Sequence, residues 1–546
     1  MGSFRGLRPL ALSTLALSLL SLGGGLIAAP AAGAAHRPSP AARHWTGSKW
    51  GDPTVDNASK DSSGKNNPAK DPGSLFTVTT AIGARTLWAH TDVNGRAITG
   101  QGVTVAVLDS GVAPVTGLDQ PGKLVQGPDL SIETNSAALQ GSDQFGHGTH
   151  LAGIIGAHDA TKLDPKTGAP ADLSPGVELG VAPDARLLAL KLATRDGSTD
   201  VSEVIAALDW ITQHQHDNGM NVRVVNLAFG TASIQPYQLD PLATAAENAW
   251  HHGIVVVVSG GNDGLTASQL TDPATDPFVI AVGAADPLGK TNYNKTTVAT
   301  FSSMGTLSRH VDLLAPGVSI ASLRDPGSFI DVTYPTGRVA GDTAGRLFRG
   351  SGTSQAASVV SGAAALLLQQ DPNLTPDQVK AILVGTADPI ASSTPLNAGA
   401  GELNLGNAYK QVQALQAGKL SAATVASMRQ TFPVATGLGS LEGARGGDDL
   451  VDAQTGTTFS GEFDIQGMLW NAAAWAGASA AGTAWSGSRW NGASWTGSSW
   501  ASSTQWANAR WTAARWSAAR WSGASWDAAR WSAARWSAAR WSGASW

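Results

Sequence analysis

The feature that most constrains this chain is a series of short, almost continuously apolar runs rich in valine: VTVAVL at 103–108, ARLLALKL at 185–192, VRVVNLAF at 222–229 and GIVVVVSG at 253–260. A strand that is apolar on both faces is buried on both. Longer segments of helical character lie between the runs, among them 201–216 and 242–252. Strands alternating with helices imply a right-handed parallel sheet covered by helices on both faces, so the fold class expected is α/β. Ligands of such sheets bind beyond the carboxyl ends of the strands, and the polar residues that close these runs are where chemistry is to be sought.

A chain of 546 residues has room for one catalytic domain of roughly 300 residues plus appendages, because single cores seldom grow larger. The net charge of -5 supplies no basic field for nucleic acid, which is not expected as a partner. There is no cysteine, so thiol catalysis and cysteine-zinc sites are excluded. Arg5 and Arg8 precede an apolar run at 10–27 that ends in small residues closing at Ala35. This is a signal-peptide pattern over 1–35, with an uncleaved anchor as the alternative reading. No later segment is apolar enough to span a bilayer, so the expectation is a secreted protein, extracellular or attached to the cell surface, without a transmembrane segment after cleavage. Residues 36–74 are polar and read as a linker or short propeptide. The strand–helix alternation occupies 75–412, a linker-like stretch rich in Gly, Ala and Asp covers 413–468, and a tryptophan-rich repeat fills 469–546.

Four elements carry the chemistry. Asp109 follows the first apolar run directly, in VAVLDSGV, where a plain turn is the alternative use of the residue. His147 lies in GHGTHLAGIIG, flanked by glycines at the head of a small-residue helix. His150 is three residues on, but no acid lies between the two as in HExxH, so no metal is expected there. Ser354 opens a long apolar helix in GSGTSQAASVVSGAAALLL, either as a simple cap or as a nucleophile where the helix N-terminus favours developing negative charge. Asn262, in SGGNDG after the fourth run, offers a side-chain amide. Together they supply an orienting acid, a base, an amide donor and a nucleophile at strand and helix ends.

With DSG, GHGTHxAG, the GN pair and GTS in the order Asp, His, Asn, Ser, the chain resembles the subtilisin-like serine proteases over roughly 75–412. The resemblance implies an endopeptidase acting on proteins and peptides through an acyl-enzyme. Ser354 would be the nucleophile, His147 the general base and Asp109 its orienting carboxylate, with Asn262 completing an oxyanion hole. It also implies substrate binding by Asn226, Leu227, Ala228, Phe229 and Gly230, paired through the backbone, and by Ser259, Gly260 and Gly261. No cofactor is required. Structural calcium is common in the family, but no ligand cluster in the sequence assigns a site. Gln355 stands where the family usually has Met, and Ser358 where it usually has Pro, which puts the start of the helix in question.

From Trp470 onward a tryptophan recurs at almost every fifth position, in units such as WSGASW and WSAARW. That period matches neither a helix nor a single strand. It suggests a solenoid that stacks successive indoles, or a non-globular adhesive segment. Arg precedes Trp repeatedly, so the tail is basic and aromatic, suited to a cell-envelope polymer or glycan or to cation-π pairing within the chain.

Overall fold

The computed structural model describes residues 65–131, 133, 141–159, 162–267, 269–391, 393–450 and 459–495, together with the backbone of Arg520 and Trp521. The signal-peptide pattern and most of the polar segment that follows it lie outside the described residues, as does most of the tryptophan repeat.

Strands β1 (Thr104–Asp109), β2 (Leu124–Asp129), β3 (Arg186–Lys191), β4 (Val222–Leu227), β5 (Val255–Ser259) and β6 (Ile280–Asp286) form a parallel sheet in the order β2-β3-β1-β4-β5-β6. The short β7 (Thr297–Val298) pairs antiparallel with β6, and β8 (Leu313–Pro316) pairs with it in parallel. The four apolar runs of the sequence are β1, β3, β4 and β5, and their interior positions are buried. Strand order reverses beside β1, with β3 on one flank and β4 on the other, so a crevice opens beyond the carboxyl ends of β1 and β4.

Helices α1 (His147–Gly156), α2 (Val201–His214), α3 (Pro241–His251) and α4 (Thr353–Gln370) cover the sheet. Asp200 and Glu203 start α2 with a capping box, and Asp240 caps α3 ahead of a proline at its first turn. All 18 residues of α4 are buried, because it runs beneath β4, β5, β6 and β8 and also packs against α1. Its Ala, Ser and Gly content permits that close approach: a Cβ on Gly362 would stand 2.6 Å from Val181. A second, antiparallel pair, β9 (Ile320–Leu323) and β10 (Leu347–Ser351), feeds into α4, and the backbone of Arg520–Trp521 pairs with the end of β10.

Both polar stretches expected as linkers are folded in their described parts. Residues 68–74 join the body because Asp71 is fully buried and forms an ion pair of 2.6 Å with Arg349 of β10. The stretch 413–468 carries a buried arginine, Arg445, which reaches Asp200 at 2.7 Å and donates to the carbonyls of Gly461 and Phe463. Low hydrophobicity concealed these contacts, since the first segment is held by a buried ion pair and the second by another together with scattered core residues such as Leu441, Leu450 and Ile465.

The described part of the tryptophan repeat is one helix followed by a small antiparallel sheet. Helix α5 (Ala472–Ala480) is followed by a three-stranded antiparallel meander of β11 (Trp485–Ser486), β12 (Arg489–Trp490) and β13 (Ala493–Ser494). Two-residue turns join the strands, Gly487-Ser488 with Gly487 at φ 61° and Asn491-Gly492 with φ of 47° and 82°, as tight hairpins require. Trp485 pairs with Trp490 and Trp490 with Ala493, so these residues share a face with Trp495, two positions beyond Ala493. The two tight turns thus put the indoles of Trp485, Trp490 and Trp495 on one side, and that side is buried.

Candidate active site

Asp109 ends β1 and is fully buried. Its Oδ1 accepts hydrogen bonds from the N–H of Ser110 at 2.8 Å and from the Ser110 hydroxyl at 3.1 Å. Nδ1 of His147 lies 2.9 Å from both carboxylate oxygens. This contact fixes the tautomer: Nδ1 carries the proton toward the carboxylate, which makes Nε2 the accepting nitrogen. The approach depends on glycine. Gly146 adopts φ 100° just before the helix, and a Cβ on Gly148 would stand 2.0 Å from the carbonyl oxygen of Gly111.

A second layer supports this pair. The Ser110 hydroxyl lies 2.8 Å from Asp143 and accepts the N–H of Gly148 at 3.1 Å. Asp143 also accepts from the N–H groups of Gly146 and Thr149, both at 2.7 Å, and from the Thr149 hydroxyl at 2.6 Å. Burial pushes the Asp143 carboxyl up, opposed by those donors. His150, one turn further along α1, points elsewhere. Its Nε2 lies 3.2 Å from the carbonyl of Ile320 and 3.1 Å from that of Phe348. Burial and the neighbouring His147 push its pKa down to about 3, so it is a neutral donor that ties α1 to β9 and β10.

Ser354 is the second residue of α4, buried, with its position set by Thr353. The N–H and hydroxyl of Thr353 both donate to Oδ1 of Asn262, at 2.9 Å and 3.0 Å, and the Thr353 hydroxyl accepts the N–H of Gly261 at 3.3 Å. With Oδ1 committed to Thr353, the donating end of the Asn262 amide is turned away from that residue. Replacing the usual proline by Ser358 leaves α4 regular, because the Ser358 hydroxyl donates back to the carbonyl of Ser354 at 3.0 Å. Gln355 is fully buried beside Ser354.

The residues expected to bind substrate divide into two groups. Asn226 and Leu227 lie inside the sheet, in register with Val107 and Leu108 of β1 and with Val257 and Val258 of β5. Asn226 also accepts the hydroxyl of Ser361 at 2.9 Å, so it braces α4. Only Ala228, Phe229 and Gly230 extend beyond the ladder, facing Ser259, Gly260 and Gly261 at the end of β5. Among the described residues no group of three or more His, Asp or Glu side chains is arranged to hold a metal ion, and no helix is long and apolar enough to cross a membrane.

A doubly covered parallel sheet with an Asp-His pair at the end of β1 and an Asn amide fastened beside a serine at the head of a helix defines a class, the serine peptidases of α/β fold. Residues 100–418 match the model of the Subtilase family; the chain belongs to that family and is a serine endopeptidase. It is 36% identical to the serine protease AprX of Bacillus subtilis over 58% of this chain and 67% of that protein. It is 34% identical to subtilisin DY of Bacillus licheniformis, over 55% of this chain and 89% of the relative. A solved cold adapted subtilisin-like serine proteinase matches at 27% identity and a TM-score of 0.41, over 56% of this chain and 89% of that one.

Proposed function

We propose that the chain is a secreted endopeptidase in which Ser354, His147 and Asp109 act as a triad on protein and peptide substrates. His147 Nε2 takes the Ser354 hydroxyl proton as Oγ attacks the scissile carbonyl, and returns it to the leaving amine. Water then hydrolyses the acyl-enzyme by the same route in reverse. Asp109 keeps the imidazole in the required tautomer and stabilises its cation. The backbone N–H of Ser354, at the head of α4, and Nδ2 of Asn262 receive the oxyanion. The observation that carries this reading is the pairing of His147 with Asp109 at 2.9 Å, together with an Asn262 amide locked to the residue next to Ser354.

The peptide is held along residues 228–230, adding a strand beyond the end of β4. None of these steps needs a cofactor. Export rests on the basic, apolar and small-residue sequence of 1–35, and Edman sequencing of protein from culture medium tests it through a start near Ala35 or beyond. The catalytic reading is tested on a denatured protein substrate: the full chain hydrolyses it, and Ser354→Ala and His147→Ala each lose at least 10³-fold in rate, roughly the scale of losing a triad member. Hydrolysis that survives Ser354→Ala would exclude the assignment.

A further inference from the structure

We propose that Thr271 closes the floor of the pocket that receives the substrate side chain preceding the scissile bond, so that this protease cleaves after glycine, alanine and serine in preference to large residues. The inference rests on the substrate-binding reading above.

Strands β4 and β5 are parallel neighbours, and the chain continues past their carboxyl ends as residues 228–230 and 259–261. A peptide paired with 228–230, with its carbonyl carbon at Ser354 and its oxyanion toward Asn262, sends the preceding side chain into the gap between these two segments. Both walls of the gap carry glycine, Gly230 on one side and Gly260-Gly261 on the other. Wide walls alone would admit a large side chain.

Thr271 fills the space between them. A Cβ on Gly230 would stand 2.5 Å from Oγ1 and 2.6 Å from Cβ of Thr271, and a Cβ on Gly261 would stand 3.1 Å from its Cγ2. The hydroxyl therefore abuts one wall and the methyl the other. Among the described residues the threonine itself hydrogen-bonds only to the Ser259–Gly261 wall, over long distances. Its N–H donates to the carbonyl of Gly260 at 3.4 Å and its hydroxyl to that of Ser259 at 3.5 Å. The next residue, Asp272, exchanges two backbone hydrogen bonds with Thr231, at 3.0 Å and 2.9 Å. Swinging the floor aside would break these ties. Burial and the neighbouring Asp240 push the carboxyl of Asp272 up, which disfavours the anion that a lysine or arginine side chain would need there.

The test is a series of succinyl-Ala-Ala-Pro-X p-nitroanilides with X as Ala, Leu or Phe, run on the full chain and on Thr271→Gly and Thr271→Val, with fluorophosphonate labelling alongside. One misfitting methylene changes specificity by roughly 10–200-fold. The wild type is expected to favour Ala over Phe in kcat/KM by at least that factor, and Thr271→Gly to raise the Phe/Ala ratio at least 10-fold. Thr271→Val, of nearly equal volume, should keep the wild-type ratio and guards against an effect of substitution as such. Labelled enzyme that prefers Phe, or a ratio unmoved in a labelled Thr271→Gly, overturns the proposal. Wild type that neither labels nor cleaves overturns the Ser354 reading itself, and the pocket with it.

Discussion

A serine hydroxyl is a poor nucleophile at neutral pH, and what distinguishes Ser354 from the other serines of α4 is its neighbourhood. It occupies the first turn, where the helix N–H groups are unpaired within the helix, and it adjoins a threonine that fastens the Asn262 amide. Asn262→Ala should lower kcat by roughly 10²–10³, the loss known for an oxyanion-hole asparagine of a subtilisin, with little change in KM. Steady-state kinetics on one peptide substrate would check this, and an unchanged kcat would remove Asn262 from the mechanism. Asp109, His147, Asn262 and Ser354 stand out in the sequence as candidates because each closes or opens an element near glycine. Ser110 and Asp143 could not, since their bearing on the site comes from a contact between a strand end and a loop 33 positions apart. Thr271 was hidden for the same reason: its importance depends on the two glycines it touches in space.

Among the elements, the buried strands and α2, α3 and α4 could be read closely from the sequence, because continuous apolar runs and small-residue helices have few other uses. The segments at 68–74 and 413–450 could not, because ion pairs between distant residues and scattered core contacts such as those of Leu441 and Leu450 leave no periodic trace. The pair formed by Asp71 and Arg349 joins an N-terminal segment to β10, the strand that leads into the Ser354 helix. Arg349 is almost fully buried, so Asp71→Ala would strand its charge. The expected cost is about 3–5 kcal/mol, the usual penalty for removing one partner of a buried pair. Thermal denaturation would detect it as a lowered Tm, whereas a change within 1 °C would show that the segment is not anchored there.

For the molecule as a whole, the first repeats of the tail form a cap on the catalytic body, so the described tryptophans are committed to internal packing and not to a glycan. Indole N–H groups of Trp475 and Trp490 both donate to Asp209 of α2 at 2.8 Å, and that of Trp485 donates to the carbonyl of Ala206. Asp209→Ala leaves two buried indole N–H groups and the Ser479 hydroxyl without their acceptor. The cap should lose about 2–5 kcal/mol of docking stability, read as red-shifted tryptophan fluorescence and faster proteolysis beyond residue 450. Burial pushes the Asp209 carboxyl up to about 6 against those donors. The docked state thus holds its proton more tightly than the released state. Docking should be strongest below about pH 4, weaken by about 3 kcal/mol as pH rises to about 6, and then level off. Proteolytic release that shows no such trend, or the opposite one, would contradict this account of the cap. The spacing of Trp485, Trp490 and Trp495 could not be decoded from helix and strand periods because tight turns interrupt the strands, although the Asn491-Gly492 pair was the visible signal.

The central claim is that Ser354 is the nucleophile of a working triad, and the most direct measurement is peptide mapping by mass spectrometry of the full chain after reaction with a fluorophosphonate. The account predicts one phosphonyl adduct, on Ser354, formed at a rate that collapses in His147→Ala. An adduct on another residue, or none on a chain that cleaves protein, would contradict it.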